Sequence, residues 1–229
     1  MLMKKLFLFI CVSLLLTVNL SAQRLNSVSL SSIHIGEMPL YYAVPSEAQK
    51  AFGRAIKVET QSVPQNGPYD GIYPFATADP YGALYGFYPY GGFYGYNDAY
   101  PYWGTYSGPW GVSVLYTYIM MYPHMVLYFN QGSTGAPQYL ANANIYSSDY
   151  TLHINTSHRV SVGDSLSVLE SLFPISCATA ISRHGGKYPS TFKVIVKAST
   201  GEGRTEENAR MVFVINEDKK IAAIQISLY

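Results

Sequence analysis

Four residues in the second half of the chain, Gly163-Asp164-Ser165-Leu166, set a serine where acyl-transfer chemistry could be done. A serine hydroxyl is a weak nucleophile until a base, most often histidine, takes its proton, and a third group must orient that base. The only histidine after Ser165 is His184, in a Gly-rich stretch with no Asp two residues ahead of it. The five histidines, His34, His124, His153, His158 and His184, are scattered along the chain without the close pairing and flanking carboxylate or thiol ligands that a metal site prefers. The sequence therefore assigns no catalytic residue, no metal and no cofactor.

The same four letters are similar to the serine block of the GDSL-type esterases. That family sets its serine near the start of the domain and closes its triad with an Asp-x-x-His near the C-terminus. Here only 63 residues follow Leu166, and none of them contains that motif. The Gly and Asn blocks of that family's oxyanion hole have no counterpart either. The comparable place in the first half reads Gly36-Glu37-Met38-Pro39, without serine, so what recurs is glycine followed by an acid. An acid at a helix start accepts free backbone N–H groups and suits the helix dipole. Ser165 is read as structural, and the chain as a non-enzyme.

The elements that would position these residues come in two sets. MVLYFN, Met125 to Asn130, matches MVFVIN, Met211 to Asn216. Each is an apolar, β-rich run that ends at a polar cluster, and each is followed by a second run, Tyr139 to Ser147 or Lys220 to Leu228, so both read as β-hairpins. Further strand-like sequence precedes each hairpin: Val112 to Tyr118 in one half, and Phe192 to Lys197, alternating apolar and basic, in the other. A helix is expected over Pro45 to Phe52, with Pro in its first turn and Gly53 as its stop. A second is expected after Asp164, where Leu166, Leu169, Leu172 and Phe173 recur at helical spacing, Ser167 and Glu170 have capping-box separation, and Pro174 ends the run. Asp149 to Ile154 is left as a bridge or an extra strand. The expected class is α+β: two tandem repeats, each a short helix plus a three- to four-stranded antiparallel sheet, with the helices on one face. The divisions are residues 23–154 and 155–229.

The first half carries an insertion, about residues 67–111, of Tyr, Gly and Pro, whose only charges are Asp70, Asp79 and Asp98. Gly and Pro interrupt any helix there, and Pro cannot donate to a central ladder. Loops of this length inside a domain are functional or disordered. Tyr88, Tyr90, Tyr94, Tyr96, Trp103 and Trp110 are the candidate binding residues, because aromatic side chains bury large area at small entropic cost.

Residues 1–22 read as a signal peptide: Lys4 and Lys5, an apolar run from Leu6 to about Val18, then Ser21 and Ala22 before Gln23. Cleavage there leaves 207 residues with Cys177 as the one cysteine, which excludes an intramolecular disulfide. It also takes the formal charge from +1 to about −1, which argues against nucleic acid as a partner. The expected location is outside the cytoplasm, in the periplasm or at the cell surface of a bacterium, with no membrane span after cleavage.

Gly163, Leu169, Leu172, Phe173, Pro174, Phe213, Ile215, Ile221 and Ile224 carry a pattern that resembles the SmpA/OmlA outer-membrane assembly lipoproteins and the tandem-repeat β-lactamase inhibitor proteins. Those folds pack helices on an antiparallel sheet, and the inhibitors hold two such units in tandem. The resemblance implies a non-catalytic protein-binding or envelope-assembly module working through an exposed sheet face and the aromatic loop. Two departures stand out: no lipid-attachment cysteine begins the mature chain, and the aromatic insertion belongs to neither family. Stacking of Tyr and Trp on sugar rings, giving a carbohydrate-binding protein, and Tyr-Gly-driven self-association are the alternatives.

Overall fold

The computed structural model describes residues 25–62, 116–131, 137–155, 157–200 and 209–228. Along these residues run β1 (Ser27–Ser29), a 3-10 turn (Leu30–Ser32), β2 (Ile33–Ile35), β3 (Met38–Pro39), α1 (Pro45–Phe52), β4 (Lys57–Ser62), β5 (Tyr116–Tyr122), β6 (Met125–Gln131) and β7 (Gln138–Ile145). Then follow β8 (Leu152–Ile154), β9 (His158–Val160), α2 (Leu166–Leu172), α3 (Pro174–Ser182), β10 (Phe192–Ser199), β11 (Ala209–Ile215) and β12 (Ile221–Leu228). The architecture is α+β, with one large mixed sheet and one small one.

The large sheet has eight strands in the order β1-β10-β11-β12-β7-β6-β5-β4. Its ladders are antiparallel except at one edge, where β1 runs parallel to β10. The hairpins β6–β7 and β11–β12 lie where their sequences place them, and β12 meets β7 at the middle. The strand expected from Val112 is described from Tyr116, and the insertion lies outside the described residues. In the small sheet, ordered β3-β2-β8-β9, Asp149 to Ile154 supplies β8. Strands from both sides of the expected division at residue 154 pair there, as β8 does with β9.

Helix boundaries follow from backbone chemistry. Pro45 opens α1, and the Val44 N–H donates to the Glu47 carboxylate at 3.0 Å. Gly53, at φ 78°, ends the helix by donating its N–H to the Gln49 carbonyl, a left-handed conformation that favours glycine. Pro174 has no N–H with which to continue α2, and its fixed φ suits the first turn of another helix. It therefore stops α2 and starts α3, a helix that the reading of Pro174 as a stop alone left out. The Ser167–Glu170 capping box does not form: Ser165 is the N-cap, its Oγ 2.6 Å from Ser167 Oγ, and Glu170 accepts the Tyr188 hydroxyl. Asp164 accepts the Ser161 N–H at 2.8 Å, tying the turn ahead of α2 rather than the helix's own N–H groups.

One large core fills the space between the sheet and the layer made by the helices and small sheet. Met125, Leu127 and Phe129 of β6, Met211, Phe213 and Ile215 of β11, and Phe192, Val194 and Val196 of β10 meet Ile33, Ile35, Leu152, Ala48, Leu169, Phe173 and Cys177. Phe173 stacks on Phe213 with centroids 5.9 Å apart. The three helices among the described residues all bury residues in this core, so they share one face of the sheet.

The opposite face is buried too, as the near-continuous apolar runs of β6 and β11 require. It holds two smaller clusters, Ile119, Val126 and Tyr128 on one side and Val212, Val214 and Ala223 on the other. Between them lie the buried amides Asn142, Asn144 and Gln225 and the Ser227 hydroxyl, with Asn142 Nδ2 donating to Ser227 Oγ at 3.5 Å.

Phe213→Ala is expected to cost about 3–5 kcal/mol, because a fully buried aromatic leaves a cavity between sheet and helices. Urea unfolding of the two chains measures this. Burial, reinforced by the phenols of Tyr150 and Tyr118, pushes the Tyr122 hydroxyl up to about 12. A raised pKa means that the folded state holds the proton more tightly than the unfolded one. The contribution is therefore complete below about pH 10 and lost as pH rises towards 12. Stability should fall across that window, and less steeply in Tyr122→Phe.

Candidate functional site

Ser165 lies where the turn after β9 is stitched to the start of β12. Gly163, at φ 94°, donates its N–H to the Ile221 carbonyl at 2.8 Å. Ile221 returns an N–H to Asp164, and the Leu166 N–H reaches the Lys219 carbonyl at 2.7 Å. Beside this junction is an open cavity of about 340 Å³, lined by Ser165, Ser167, Glu170, Tyr188, Asp218 and Lys219 among others. The group facing Ser165 Oγ is the Ser167 hydroxyl, which is no base at neutral pH. The Glu170 carboxylate accepts from Tyr188 at 2.7 Å, which holds that phenol above the ordinary tyrosine range. Lys219 donates to the Pro189 carbonyl at 2.9 Å and stands 5.3 Å from the Tyr188 ring centroid and 5.6 Å from that of Phe192. These groups are engaged with one another, and their arrangement is a packing cluster at the mouth of the core.

The fold makes one pairing that linear spacing hid. His34 on β2 lies opposite His153 on β8, and Arg159 on β9 lies on the other side of His153. Both imidazoles are half-exposed on the outer face of the small sheet. Arg159 is a permanent cation beside them, which works against a divalent metal there. Among the described residues, no three His, Cys, Asp or Glu side chains come together as a set of ligands. Asn155, first residue of the Asn155-Thr156-Ser157 triplet, is exposed at φ 63°.

The candidate binding residues Tyr88, Tyr90, Tyr94, Tyr96, Trp103 and Trp110 lie outside the described residues. Among the described residues, Tyr41, Tyr42 and Tyr139 form an aromatic surface that no linear motif marks. Tyr41 and Tyr42 are 40% and 42% exposed, their centroids 4.2 Å apart, and Tyr42 meets Tyr139 edge-on at 5.3 Å. Tyr42 sits at φ 58°, a region that costs a non-glycine residue of order 1–3 kcal/mol and recurs at ligand-binding sites. The Leu140 N–H donates to the Ala43 carbonyl at 2.8 Å, which fixes this turn against β7. Across the same end of the sheet, Ser62 lies opposite Tyr116, Tyr116 opposite Gln131, and Gln131 opposite Gln138. The three tyrosines thus stand at the end where the chain leaves β4 for the aromatic insertion and returns to β5. Two adjacent tyrosines before a predicted helix were the available signal. The sheet face expected to be exposed is buried along its middle, with Ile119, Tyr128, Asn144 and Val212 all between 0% and 1% accessible.

No helix among the described residues is long and apolar enough to cross a membrane. Cys177, in α3, is 2% exposed, and burial, with Glu170 adding to it, pushes its thiol up to about 12. The thiolate is the reactive form. Iodoacetamide at neutral pH should leave Cys177 unmodified in the folded chain and alkylate it fully in urea, as peptide mapping would register. Comparison with known proteins finds no matching family model, no matching curated protein and no matching solved structure, so the geometry above is the ground for a functional reading.

Proposed function

We propose that the chain is an exported, non-catalytic binding module, of use in envelope assembly or in capturing another envelope or extracellular protein, and that its contact surface is aromatic. The observation that carries this reading is the Tyr41–Tyr42–Tyr139 cluster, with Tyr41 and Tyr42 exposed and Tyr139 half-buried, at the end of the sheet where β4 ends and β5 begins. Exposed aromatic groups held by a constrained backbone lose little entropy on binding, and they keep a polar tip for hydrogen bonding. Residues 1–22 act as the export signal in this reading, and Tyr88, Tyr90, Tyr94, Tyr96, Trp103 and Trp110 of the insertion are its further binding residues. Because the middle of the sheet's second face is buried, the sheet contributes its end rather than its open face.

In the same proposal the module is two tandem repeats, similar in plan to the β-lactamase inhibitor proteins. Register supports this. In β6–β7 the pairs Met125–Ile145, Val126–Asn144, Leu127–Ala143 and Tyr128–Asn142 are followed by a shift to Phe129–Leu140. In β11–β12 the pairs Met211–Ile226, Val212–Gln225, Phe213–Ile224 and Val214–Ala223 are followed by a shift to Ile215–Ile221. The bulged residues, Ala141 and Ala222, therefore occupy the same place in each hairpin. Where β7 meets β12, Ala143 faces Ile226 and Ile145 faces Ile224, so exchanging the two hairpins reproduces the pairing. That is what a two-fold relation through Asn144 and Gln225 requires.

Replacing the cluster with Tyr41→Ala, Tyr42→Gly and Tyr139→Ala together should reduce cross-linked capture of a partner from envelope extract at least ten-fold, with circular dichroism unchanged. Capture at the wild-type level overturns the reading. A glycan-array signal lost in the same variant would favour the carbohydrate alternative, and concentration-dependent assembly lost in it would favour self-association.

A further inference from the structure

We propose that the outer face of the small sheet binds a phosphate-class oxyanion, held by His34, His153 and Arg159 and gripped more tightly as the two imidazoles gain protons. The inference is independent of the tyrosine cluster.

The strands β3-β2-β8-β9 carry Pro39, His34, His153 and Arg159 as one cross-strand row. Their neighbours along the strands, Ile33, Ile35, Leu152, Ile154 and Val160, are buried in the main core, so alternation turns the row outwards. The Gly36 N–H donates to the Thr151 carbonyl at 2.9 Å and the Asn155 N–H to the Ser32 carbonyl at 3.0 Å, two residues to either side of the His34–His153 pair. That pair is therefore of the hydrogen-bonded kind, with Cα atoms about 5.5 Å apart, and His153–Arg159 is of the closer kind, about 4.5 Å apart. Three side chains so spaced on one face can reach a single tetrahedral anion together.

Charge and partners agree. His34 and His153 are half-exposed and Arg159 is exposed, and among the described residues no hydrogen bond or ion pair engages any of the three side chains. The charged groups of adjoining segments are Glu37, exposed in the turn between β2 and β3, Asp149, which accepts the Ser147 hydroxyl at 2.8 Å, and Asp164, which accepts the Ser161 N–H. His158, next to Arg159, has its Nδ1 3.2 Å from Ser157 Oγ. Two residues along from His153 and Arg159, Thr151 and Ser161 carry hydroxyls, with Ser161 Oγ donating to Thr151 Oγ1 at 3.1 Å. The row thus has donors and positive charge with no carboxylate bonded to it. The planar fork of arginine matches two phosphate oxygens at once, and an imidazolium adds charge-assisted N–H groups. A neutral imidazole keeps one N–H and no charge, so the grip weakens as pH rises through the imidazole range, while the guanidinium stays charged throughout.

The imidazole NMR signals of the folded full chain read this site. Inorganic phosphate and sulfate at about pH 5.5 should shift the His34 and His153 signals saturably and leave those of His124 and His184 in place. Sulfate keeps both its charges across this range, so its affinity isolates the protein's own titration and should fall about ten-fold or more by about pH 8. Arg159→Gln and His153→Gln, both outward-facing changes, should each weaken phosphate binding about ten-fold with far-UV circular dichroism unchanged. Should either variant unfold, the wild-type titration still decides. Cosedimentation with phosphatidic acid vesicles that is lost in Arg159→Gln supports the site and identifies a lipid headgroup as the source of the phosphate; response to soluble phosphate alone supports it with a soluble ester. Shifts that grow without saturating, that spread equally over all five histidines, or that persist unchanged in Arg159→Gln overturn the proposal, as does equal sulfate affinity at the two pH values. Capture through the Tyr41–Tyr42–Tyr139 cluster is read separately, so either idea can fail alone.

Discussion

The β7–β12 ladder decides the form of everything else. Two antiparallel meanders, β4 to β7 and β10 to β12, become one sheet through pairing at Asn142–Ser227, Ala143–Ile226, Asn144–Gln225 and Ile145–Ile224. Ala143, Ile145, Ile224 and Ile226 enter the main core, while Asn142, Asn144, Gln225 and Ser227 are buried on the other side. A one-residue slip would turn over the strand that slips and put two of the four polar groups, Asn142 and Asn144 or Gln225 and Ser227, among the aliphatic ones, so burial of both faces fixes the register. Buried amides that need hydrogen-bond partners act in the same direction, because an offset strand would leave them without any.

From that ladder outward, the two faces are made differently. The core face is filled by elements adjacent in sequence to the strands they cover: Pro174 turns α2 into α3 over β10, and Phe173 at the break stacks on Phe213. The second face is divided into apolar halves by its polar strip, with cations towards one edge. Helices with apolar stripes suit the first surface.

Much of this plan was legible where local chemistry and tertiary structure agree. Pro45 and Gly53 bracket α1 because ring closure and a left-handed φ act within one or two residues. The hairpins were legible because β6 and β11 repeat the same apolar run before a polar turn. In the second turn Asn216 Oδ1 accepts the Lys220 N–H at 2.9 Å. What escaped depends on contacts between distant residues or on short elements. β3 has two residues and β2, β8 and β9 three each, too few for periodicity to be seen, and the His34–His153 pairing exists only through them. Ser165 illustrates the opposite error: four letters suggest chemistry, while their backbone is engaged in joining α2 to β12. Of the candidate site, composition pointed to tyrosine, but the described cluster of Tyr41, Tyr42 and Tyr139 depends on Ala43 bonding to Leu140, which no linear pattern reveals.

The parallel edge strand β1 has a consequence for the order of assembly. Ser27 is paired with Lys197, 170 positions further along (197 minus 27), and Asn26 accepts the Lys197 N–H at 2.9 Å while exchanging side-chain and backbone bonds with Ser176. At ordinary rates of synthesis, on the order of 10–30 s separate the appearance of these two residues. Until then the first strand has no mate, and when β10 emerges its outer edge is open to any extended peptide nearby. β1 is thus made well before the strand it needs and is among the last of the described strands to be fixed, so the outer edge of the sheet closes only after β10 is complete.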